Sequence, residues 1–392
     1  MTLKEQLKRV FGGNLQQSGI LIAFVAIVVV LSFMQPTFLS SQNLTNIVLQ
    51  YSYIHVLAIG MLFVIVLGQI DLSVGSIVAV VGAVSAVLVI RQGMPWWVGV
   101  LAAIVAGMLA GAWHGFWVAW VAIPGFIVTL GGMLMFRGMT YNILDNVSLS
   151  PFPKQYFSIA NGFQNGLLGG NGFDVFTLVV FAIAILAFVY LQWRGRVGRI
   201  RYGQSVDPMW LFITKLALLA AVAMAFGWKL ATDRGLPNVL IILTVLVIVY
   251  TIVAQRTTFG RDVYAIGGNR TAAALSGINV KKVQFWVYVN MGFLSGVAGV
   301  LYSARMNSAQ PAAGNMFELD AIAACFVGGA STTGGIGRIS GALIGGLVMA
   351  VLSNGMQLMG YSTSTQQIVK GLVLVLAVAF DLYNKRRAGV AA

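Results

Sequence analysis

The chain has 392 residues, of which 59% are hydrophobic and only 9% are charged, and its mean hydropathy is +0.88. Soluble domains contain roughly 25% charged residues, so this composition excludes an ordinary soluble protein and predicts a polytopic membrane protein. The net charge of +14 does not indicate nucleic-acid binding, because no basic stretch is interleaved with aromatic residues that could stack on bases. We expect the basic residues to contact anionic membrane lipid instead.

Apolar runs follow one another along the whole chain. Crossing a bilayer takes about 20 apolar residues, and the runs here predict an all-α polytopic bundle of about 10–12 transmembrane helices. The runs lie near residues 18–34, 49–68, 74–90, 97–121, 124–143, 174–193, 209–230, 236–254, 284–304, 319–335, 339–359 and 365–383.

Lysine and arginine fall mainly in alternate loops, which indicates the orientation of the bundle. Cytoplasmic loops of membrane proteins carry the excess of these residues, so we expect both termini to be cytoplasmic. The loops assigned to the cytoplasm contain Lys4, Lys8, Arg9, Arg194, Arg196, Arg199, Arg201, Arg256, Arg261, Arg270, Lys281, Lys282, Arg338, Lys385, Arg386 and Arg387. The opposite loops contain Arg91, Lys154, Arg234 and Arg305.

Two polar breaks interrupt the apolar sequence. Asp71 and Ser73 lie in the first break, at 69–76, and Glu318 and Asp320 lie in the second, at 318–322. An aspartate at the bilayer centre costs about 2.5–3.5 kcal/mol on insertion scales, so these residues are candidates for a substrate pathway. The acids also suit a purely structural role near helix N-termini. Paired interruptions can mark the pathway in transporters with internal repeats, so a weak internal duplication is compatible with the two breaks.

Glycine recurs every four residues in three of the apolar runs. This spacing places a smooth stripe on one helix face, and small residues let helices approach closely in lipid, where there is little hydrophobic drive for association. We interpret the stripes as close helix packing. They comprise Gly107, Gly111 and Gly115, then Gly292 and Gly296, then Gly341 and Gly345.

A polar, basic and glycine-punctuated segment at 256–282 separates two long apolar runs. Asn269 can cap a short helix over 270–276, and Gly277 suits the left-handed residue that ends one. Two helical turns are not stable alone in water, so such a helix persists mainly when it docks on a partner. Leu275 and Ile278 would supply an apolar edge for that contact. The alternative is an ordinary cytoplasmic loop.

The sequence contains no catalytic or metal-binding motif. No Gly-Lys pair occurs, so the chain has no P-loop for ATP. The one cysteine, Cys325, and the two histidines, His55 and His114, cannot form a Cys/His metal cluster. We therefore expect no cofactor, no bound metal and no enzymatic activity in this chain.

Four segments carry a resemblance to a known family. They are IDLSVGS at 70–76, PGFIVTLGGM at 124–133, YAIGGN at 264–269 with Leu275, Gly277 and Ile278 after it, and ELDAIAA at 318–324. Together they resemble the permease subunits of monosaccharide ABC importers of the ribose, xylose and multiple-sugar type. The segments are spread through the chain, so the resemblance covers most of it except 195–236, an extra segment that shorter ribose-type relatives lack.

The resemblance implies a type II ABC importer-like fold in the bacterial inner membrane. It implies three kinds of partner: an ATP-binding cassette subunit that hydrolyses ATP, a periplasmic sugar-binding protein, and a second permease chain. Residues 1–392 would form a single permease domain with a cytoplasmic coupling loop at 255–283. The residues of the ATPase-coupling motif are Gly267, Gly268, Asn269, Ala273, Leu275, Ser276, Gly277 and Ile278. The loops within 145–174, with Asn161, Gln164, Asn165 and Asn171, would offer a polar surface to the binding protein.

Two other classes of function remain open from the sequence. An ion-coupled secondary transporter would use Asp71 or Asp320 as its proton or sodium site. A membrane scaffold is the other alternative. The sequence does not identify the monosaccharide, and branched-chain amino acids and nucleosides are carried by proteins of related fold.

Overall fold

The computed structural model describes the backbone of residues 15–387 and the side chains of residue 19 and residues 21–379. Lys4, Lys8 and Arg9 lie outside the described residues, as do the side chains of Lys385, Arg386 and Arg387, so the orientation of the termini stays a prediction. The helices are α1 Leu15–Met34, α2 Ser41–Val66, α3 Val74–Ala86, α4 Trp96–Ala119, α5 Gly125–Leu144, α6 Lys154–Asn161, α7 Val175–Arg201, α8 Met209–Ala231, α9 Asn238–Arg256, α10 Thr258–Gly268, α11 Arg270–Leu275, α12 Val280–Met306, α13 Phe317–Val327, α14 Ile339–Leu358 and α15 Thr363–Arg387.

The predicted all-α polytopic class is confirmed. Within the described residues, eight helices are long and apolar enough to cross a membrane, namely α2, α3 with its π-helical extension Val87–Arg91, α4, α7, α8, α9, α12 and α14. Two shorter apolar stretches, Leu21–Met34 and Thr363–Ala379, lie in α1 and α15. The count by these criteria is therefore eight, below the 10–12 helices that the apolar runs predict.

The eight helices divide into an inner group and an outer group. The most apolar windows of α2, α3, α12 and α14 are 67–78% buried, whereas those of α4, α7, α8 and α9 are 0–28% buried. Helices that are apolar all round become buried only when other helices cover them. The inner four therefore form the core of the bundle, and the outer four present apolar side chains outward.

Glycine stripes bring α4 and α12 into close contact, as the sequence predicts. A Cβ atom on Gly107 would lie 2.4 Å from the carbonyl oxygen of Gly292, and one on Gly111 would lie 2.2 Å from that of Tyr288. Real Cβ atoms do not approach backbone this closely, so larger residues here would push the helices apart. Gly341 and Gly345 of α14 contact α13 in the same way, at Gly328 and Ala324.

The apolar run at 319–335 does not form the full transmembrane helix that hydropathy predicts. Helix α13 ends at Val327 and contains 11 residues, which at 1.5 Å per residue is about half the thickness of a bilayer core. A loop with left-handed glycines at 329, 334 and 335 follows it. Residues 328–335 are all glycine, alanine, serine or threonine, and the average hydropathy of the whole run does not show that glycine stops the helix there.

Helix α12 joins the two ends of the bundle. Its 27 residues extend over about 40 Å. Its first residue follows the short helices α10 and α11, and its last turn contacts α6, where Asn161 Nδ2 donates to the carbonyl oxygen of Ala304 over 2.8 Å. We call these the α10 end and the α6 end of the bundle.

The α6 end is covered by a small layer of irregular structure. Strand β1, Phe163–Gln164, pairs antiparallel with β2, Leu236–Pro237, and an isolated bridge joins Leu149 to Ala309. Two of the polar side chains expected to face a binding protein form hydrogen bonds within this layer. The Asn165 side chain donates to the carbonyl oxygen of Arg234, and that of Gln164 to Asn238.

Residues 195–236, predicted to be an extra segment, contain the end of α7, the connection to α8, and α8 itself. Helices α7 and α8 pack on each other as a hairpin. Near its connection the hairpin is held by an ion pair between Lys215 Nζ and Asp207 Oδ2, 2.7 Å apart.

At the other end of the hairpin, Asp174 caps α7 by accepting a hydrogen bond from Thr177 N. Burial opposes ionisation of this carboxyl, but hydrogen bonds from Thr177 and Gly166 outweigh it and lower its pKa.

Candidate functional site

Residues 255–283, which the resemblance predicts to be a coupling loop and which we call the coupling segment, are organised by three capping side chains. Thr257 accepts from Gly260 N at the start of α10, and Asn269 Oδ1 accepts from Ala272 N over 2.9 Å at the start of α11. Asn279 caps α12 in the same way through Lys282 N. Caps of this kind satisfy the backbone N–H groups that a helix start leaves unpaired. The segment is thus a defined pair of short helices rather than an irregular loop.

The predicted helix over 270–276 is observed as α11, one residue shorter. It ends before Gly277, whose φ of +87° is the left-handed conformation that glycine favours. Ser276 bonds back to the carbonyl oxygen of Ala272.

The two apolar residues expected at the edge of α11 have different environments. The side chain of Leu275 is exposed, at 85%, whereas Ile278 is half-buried and packs on the core of the bundle, like the buried Ala273. Leu275 alone is therefore the apolar tip of the segment, and Ile278 anchors it.

Gly267 places α10 in direct contact with the end of α2. A Cβ atom on Gly267 would lie 1.7 Å from the carbonyl oxygen of Val66 and 2.7 Å from the N atom of Gly335. Gly335 N also donates to Val66 O over 2.8 Å, and the Tyr264 hydroxyl donates to Gly337 O. The coupling segment, the last turn of α2 and the loop after α13 therefore meet at one point. A Cβ on the neighbouring Gly268 would meet nothing within 4 Å.

The first polar break lies between α2 and α3. Asp71 is buried, and its Oδ1 accepts from the N and Oγ atoms of Ser73 at 2.8 and 2.6 Å. This arrangement is an Asx turn in front of α3, and it gives Asp71 a local structural role, although the N-cap residue Ser73 itself makes no side-chain capping bond. Glu318 of the second break approaches the same place, since a Cβ on Gly75 would lie 2.5 Å from its Oε2. The start of α3 and the start of α13 are therefore adjacent.

Asp320 faces away from that contact and forms an ion pair with α15. Lys370 Nζ lies 2.9 and 3.1 Å from the two carboxylate oxygens, and the side chains are 22% and 17% exposed respectively. Asp71, Ser73 and Glu318 do not line the space next to this pair. The four predicted pathway residues thus divide between two places, both at the N-terminal end of α13.

A cavity of about 700 Å³ lies beside the Asp320–Lys370 pair, between α2, α12, α13, α14 and α15. Pockets that bind small molecules have volumes of about 300–1,000 Å³. Its walls include three aromatic rings, those of Tyr53, Tyr302 and Phe317, and several amide side chains, including those of Gln50, Gln357 and Gln367.

The three rings form one packed group. The Tyr53 and Phe317 rings are stacked with centroids 4.8 Å apart, and Tyr302 meets both rings edge-on at 5.1 Å. None of these residues was singled out from the sequence, because the group is assembled from three separate helices. The one available signal was Lys370, a lysine inside the last apolar run.

Removing one partner of the Asp320–Lys370 pair is expected to destabilise the protein more than removing both. A partly buried ion without its partner loses hydration that nothing replaces. We expect Lys370→Met to lower the free energy of unfolding by roughly 1–3 kcal/mol, and Asp320→Asn added to it to restore most of the loss. Thermal unfolding of the two purified variants tests this. Equal melting temperatures for the single and double variants would contradict it.

The described residues contain no group of three or more His, Cys, Asp or Glu that could hold a metal ion. Cys325 is buried, and its Sγ contacts the carbonyl oxygen of Ala58.

Comparison with known proteins gives one family. The chain matches the family described as branched-chain amino acid transport system / permease component over residues 43–203 and 196–378. This chain is a member of that permease family. The two matched ranges overlap at residues 196–203, near the start of the segment predicted to be extra. No solved structure gives a significant match to this permease.

Curated relatives match this permease over nearly its whole length. The xylose transport system permease protein of Escherichia coli K12 is 40% identical over 376 residues, which cover 96% of this chain and 94% of the relative. The corresponding protein of Haemophilus influenzae is 39% identical over 378 residues, 95% and 98% of the two chains. The ribose import permease protein of Escherichia coli K12 is 35% identical over 374 residues, 95% of each.

Proposed function

We propose that this protein is the membrane permease subunit of an ATP-driven, binding-protein-dependent monosaccharide importer in the bacterial inner membrane. The observation that carries the proposal is the near full-length similarity to permeases of xylose and ribose transport. The expectation of an importer permease drawn from the sequence agrees with these relatives. An ion-coupled carrier has no support among them, and Asp320 is already paired with Lys370.

ATP hydrolysis in this system is assigned to a separate cassette subunit, because the chain has no P-loop. The coupling segment is the proposed contact for that subunit. Its support is the exposed apolar tip at Leu275 on a capped helix that is too short to be stable without packing. A periplasmic sugar-binding protein would dock at the α6 end, and a second copy of this permease would complete the pathway.

The proposed mechanism is alternating access. Closure of the cassette dimer on ATP moves α11 and α10, and the contact of Gly267 with Val66 and Gly335 passes this motion to α2 and to the loop after α13. Packed elements of this kind switch between discrete arrangements rather than deforming gradually. The loop precedes α14 and follows α13, so the switch reaches the walls of the cavity.

The proposed organisation is one permease domain over 1–392 with the coupling segment at 255–283. The α7–α8 hairpin of segment 195–236 packs on the outside of the bundle. Its basic end, with Arg199 and Arg201, is on the side proposed to face the cytoplasm and suits anionic lipid headgroups.

Uptake of sugar by reconstituted vesicles tests the proposal. The permease, its cassette subunit and the sugar-binding protein are combined, and entry of labelled D-xylose or D-ribose is followed with ATP supplied to the cassette subunit. We expect uptake to require ATP and the binding protein and to be indifferent to an ionophore. Uptake driven by a proton or sodium gradient without ATP would contradict the proposal.

A further inference from the structure

We infer that the 700 Å³ cavity beside Asp320 and Lys370 is a transient binding site for the neutral ring of a monosaccharide, with Gln50 and the Tyr53–Phe317 ring pair as its contacts. This inference rests on the proposed function and adds to it the place where the sugar binds and the residues that contact it.

The amide of Gln50 supplies the first argument. Its Oε1 is buried and has no hydrogen-bond partner among the described residues, although Gln50 lines the cavity. A buried acceptor without a partner costs about 1–3 kcal/mol. Oε1 is buried in this arrangement, so a rotation of the amide toward the cavity is needed before a hydroxyl can donate to it. After that rotation the donor is a water molecule or, when sugar is bound, a sugar hydroxyl.

The second argument is the aromatic wall. Tyr53, Tyr302 and Phe317 pack on one another with centroids 4.8–5.1 Å apart, and each also lines the cavity. Aromatic rings offer a flat, rigid and largely apolar surface. The C–H faces of a sugar ring match such a surface, whereas its hydroxyls project from the ring edge. Amides at Gln357 and Gln367 can both donate to and accept from hydroxyls.

Charge is the third argument, and it distinguishes neutral sugars from amino acids. The carboxylate of Asp320 and the ammonium of Lys370 neutralise each other at 2.9 and 3.1 Å. Arg305, at the α6 end of the cavity, donates to Asn161 Oδ1 over 2.8 Å. The carboxylate of an amino acid could pair with Arg305, but its ammonium group would have to open the Asp320–Lys370 pair to reach a carboxylate, which a neutral sugar need not do. The cavity therefore favours sugars over the branched-chain amino acids of the family's description.

The cavity lies next to an element that contacts the coupling segment. Helix α13 forms one wall through Phe317 and Asp320, and the loop after α13 contacts the coupling segment through Gly335 and Gly337. A shift of that loop would change the distance between α13 and α2, where Gln50 and Tyr53 lie. Binding of sugar in the cavity is thus linked to the motion that ATP drives.

The test uses the complete reconstituted importer and a Gln50→Leu variant. Leucine has a similar size and removes the unpaired amide, so the fold should lose nothing by the change. We expect D-xylose uptake to fall about tenfold, which corresponds to the loss of one or two neutral hydrogen bonds, whereas ATP hydrolysis stimulated by the sugar-loaded binding protein remains within about twofold. Tyr53→Leu is expected to behave in the same way.

Gln42→Leu, an exposed glutamine on the same helix, is the matched control and should leave uptake unchanged. Native uptake of D-xylose with unchanged rates in both the Gln50→Leu and Tyr53→Leu variants would overturn the inference and leave the proposed function standing. Absence of ATP-driven sugar uptake by the native importer would overturn the proposed function and the inference together.

Discussion

Gly267→Ala is expected to reduce ATP-driven sugar uptake at least a hundredfold in the assembled importer. The new Cβ would lie 1.7 Å from Val66 O and 2.7 Å from Gly335 N, and neither backbone atom can swing aside as a side chain can. Overpacking of this kind typically costs about 1–3 kcal/mol, and here the strain is relieved by moving α10 away from the end of α2. Uptake and ATP hydrolysis, each measured per assembled complex, should no longer be coupled.

Gly198→Ala is the matched control, because it introduces the same methyl group into a helix on the same predicted side of the membrane but outside the coupling segment. A Cβ there would meet nothing within 4 Å, so uptake should remain within about twofold of the native rate. Similar uptake by the two variants would show that the contact between Gly267 and Val66 does not transmit the motion. Thermal unfolding of both variants distinguishes uncoupling from loss of the fold.

Leu275→Glu is expected to abolish stimulation of ATP hydrolysis by the sugar-loaded binding protein, together with uptake. The side chain is 85% exposed, so the change should alter the free energy of unfolding by less than about 0.5 kcal/mol. At an interface, however, the glutamate would be an unpaired charge against an apolar pocket, with a penalty of about 3 kcal/mol or more. That penalty is a loss of at least about a hundredfold in affinity for the cassette subunit.

Tyr202→Glu provides the control for an added negative charge. Tyr202 is 80% exposed at the connection between α7 and α8. It is on the same predicted side of the membrane but is not part of the coupling segment. We expect its uptake to equal that of the native protein. If Leu275→Glu also retained native uptake, the apolar tip of α11 would have no part in coupling.

Local chemistry made the coupling segment predictable. Asn269 and Gly277 define the start and the end of α11 through their own side chain and backbone, and no tertiary information was needed. Glycine stripes were predictable for the same reason, since a four-residue spacing always lies on one helix face. The structure differs from this prediction in two details: α11 ends one residue earlier, and Ile278 packs on the core of the bundle after the turn at Gly277.

The features that the sequence did not reveal depend on residues far apart in the chain. Asp320 and Lys370 are 50 residues apart, and Gln50, Tyr302 and Phe317 come from three separate helices. The true length of α13 was hidden because the span was predicted from the whole run 319–335, in which the apolar residues of α13 precede a loop rich in glycine, serine and threonine. Hydropathy reports transfer of residues into lipid, and it carries no information on whether an apolar segment is helical or is covered by its neighbours.

Crosslinking from the tip of α11 to the cassette subunit tests the central claim most directly. Cys325 is the one cysteine of the chain and is fully buried, so a photoreactive thiol label can be directed to a Leu275→Cys variant, with Tyr202→Cys as the control. The account predicts a crosslink to the cassette subunit from Leu275→Cys, with a yield that changes when ATP is bound, and none from Tyr202→Cys. A crosslink from Tyr202→Cys and none from Leu275→Cys would contradict it.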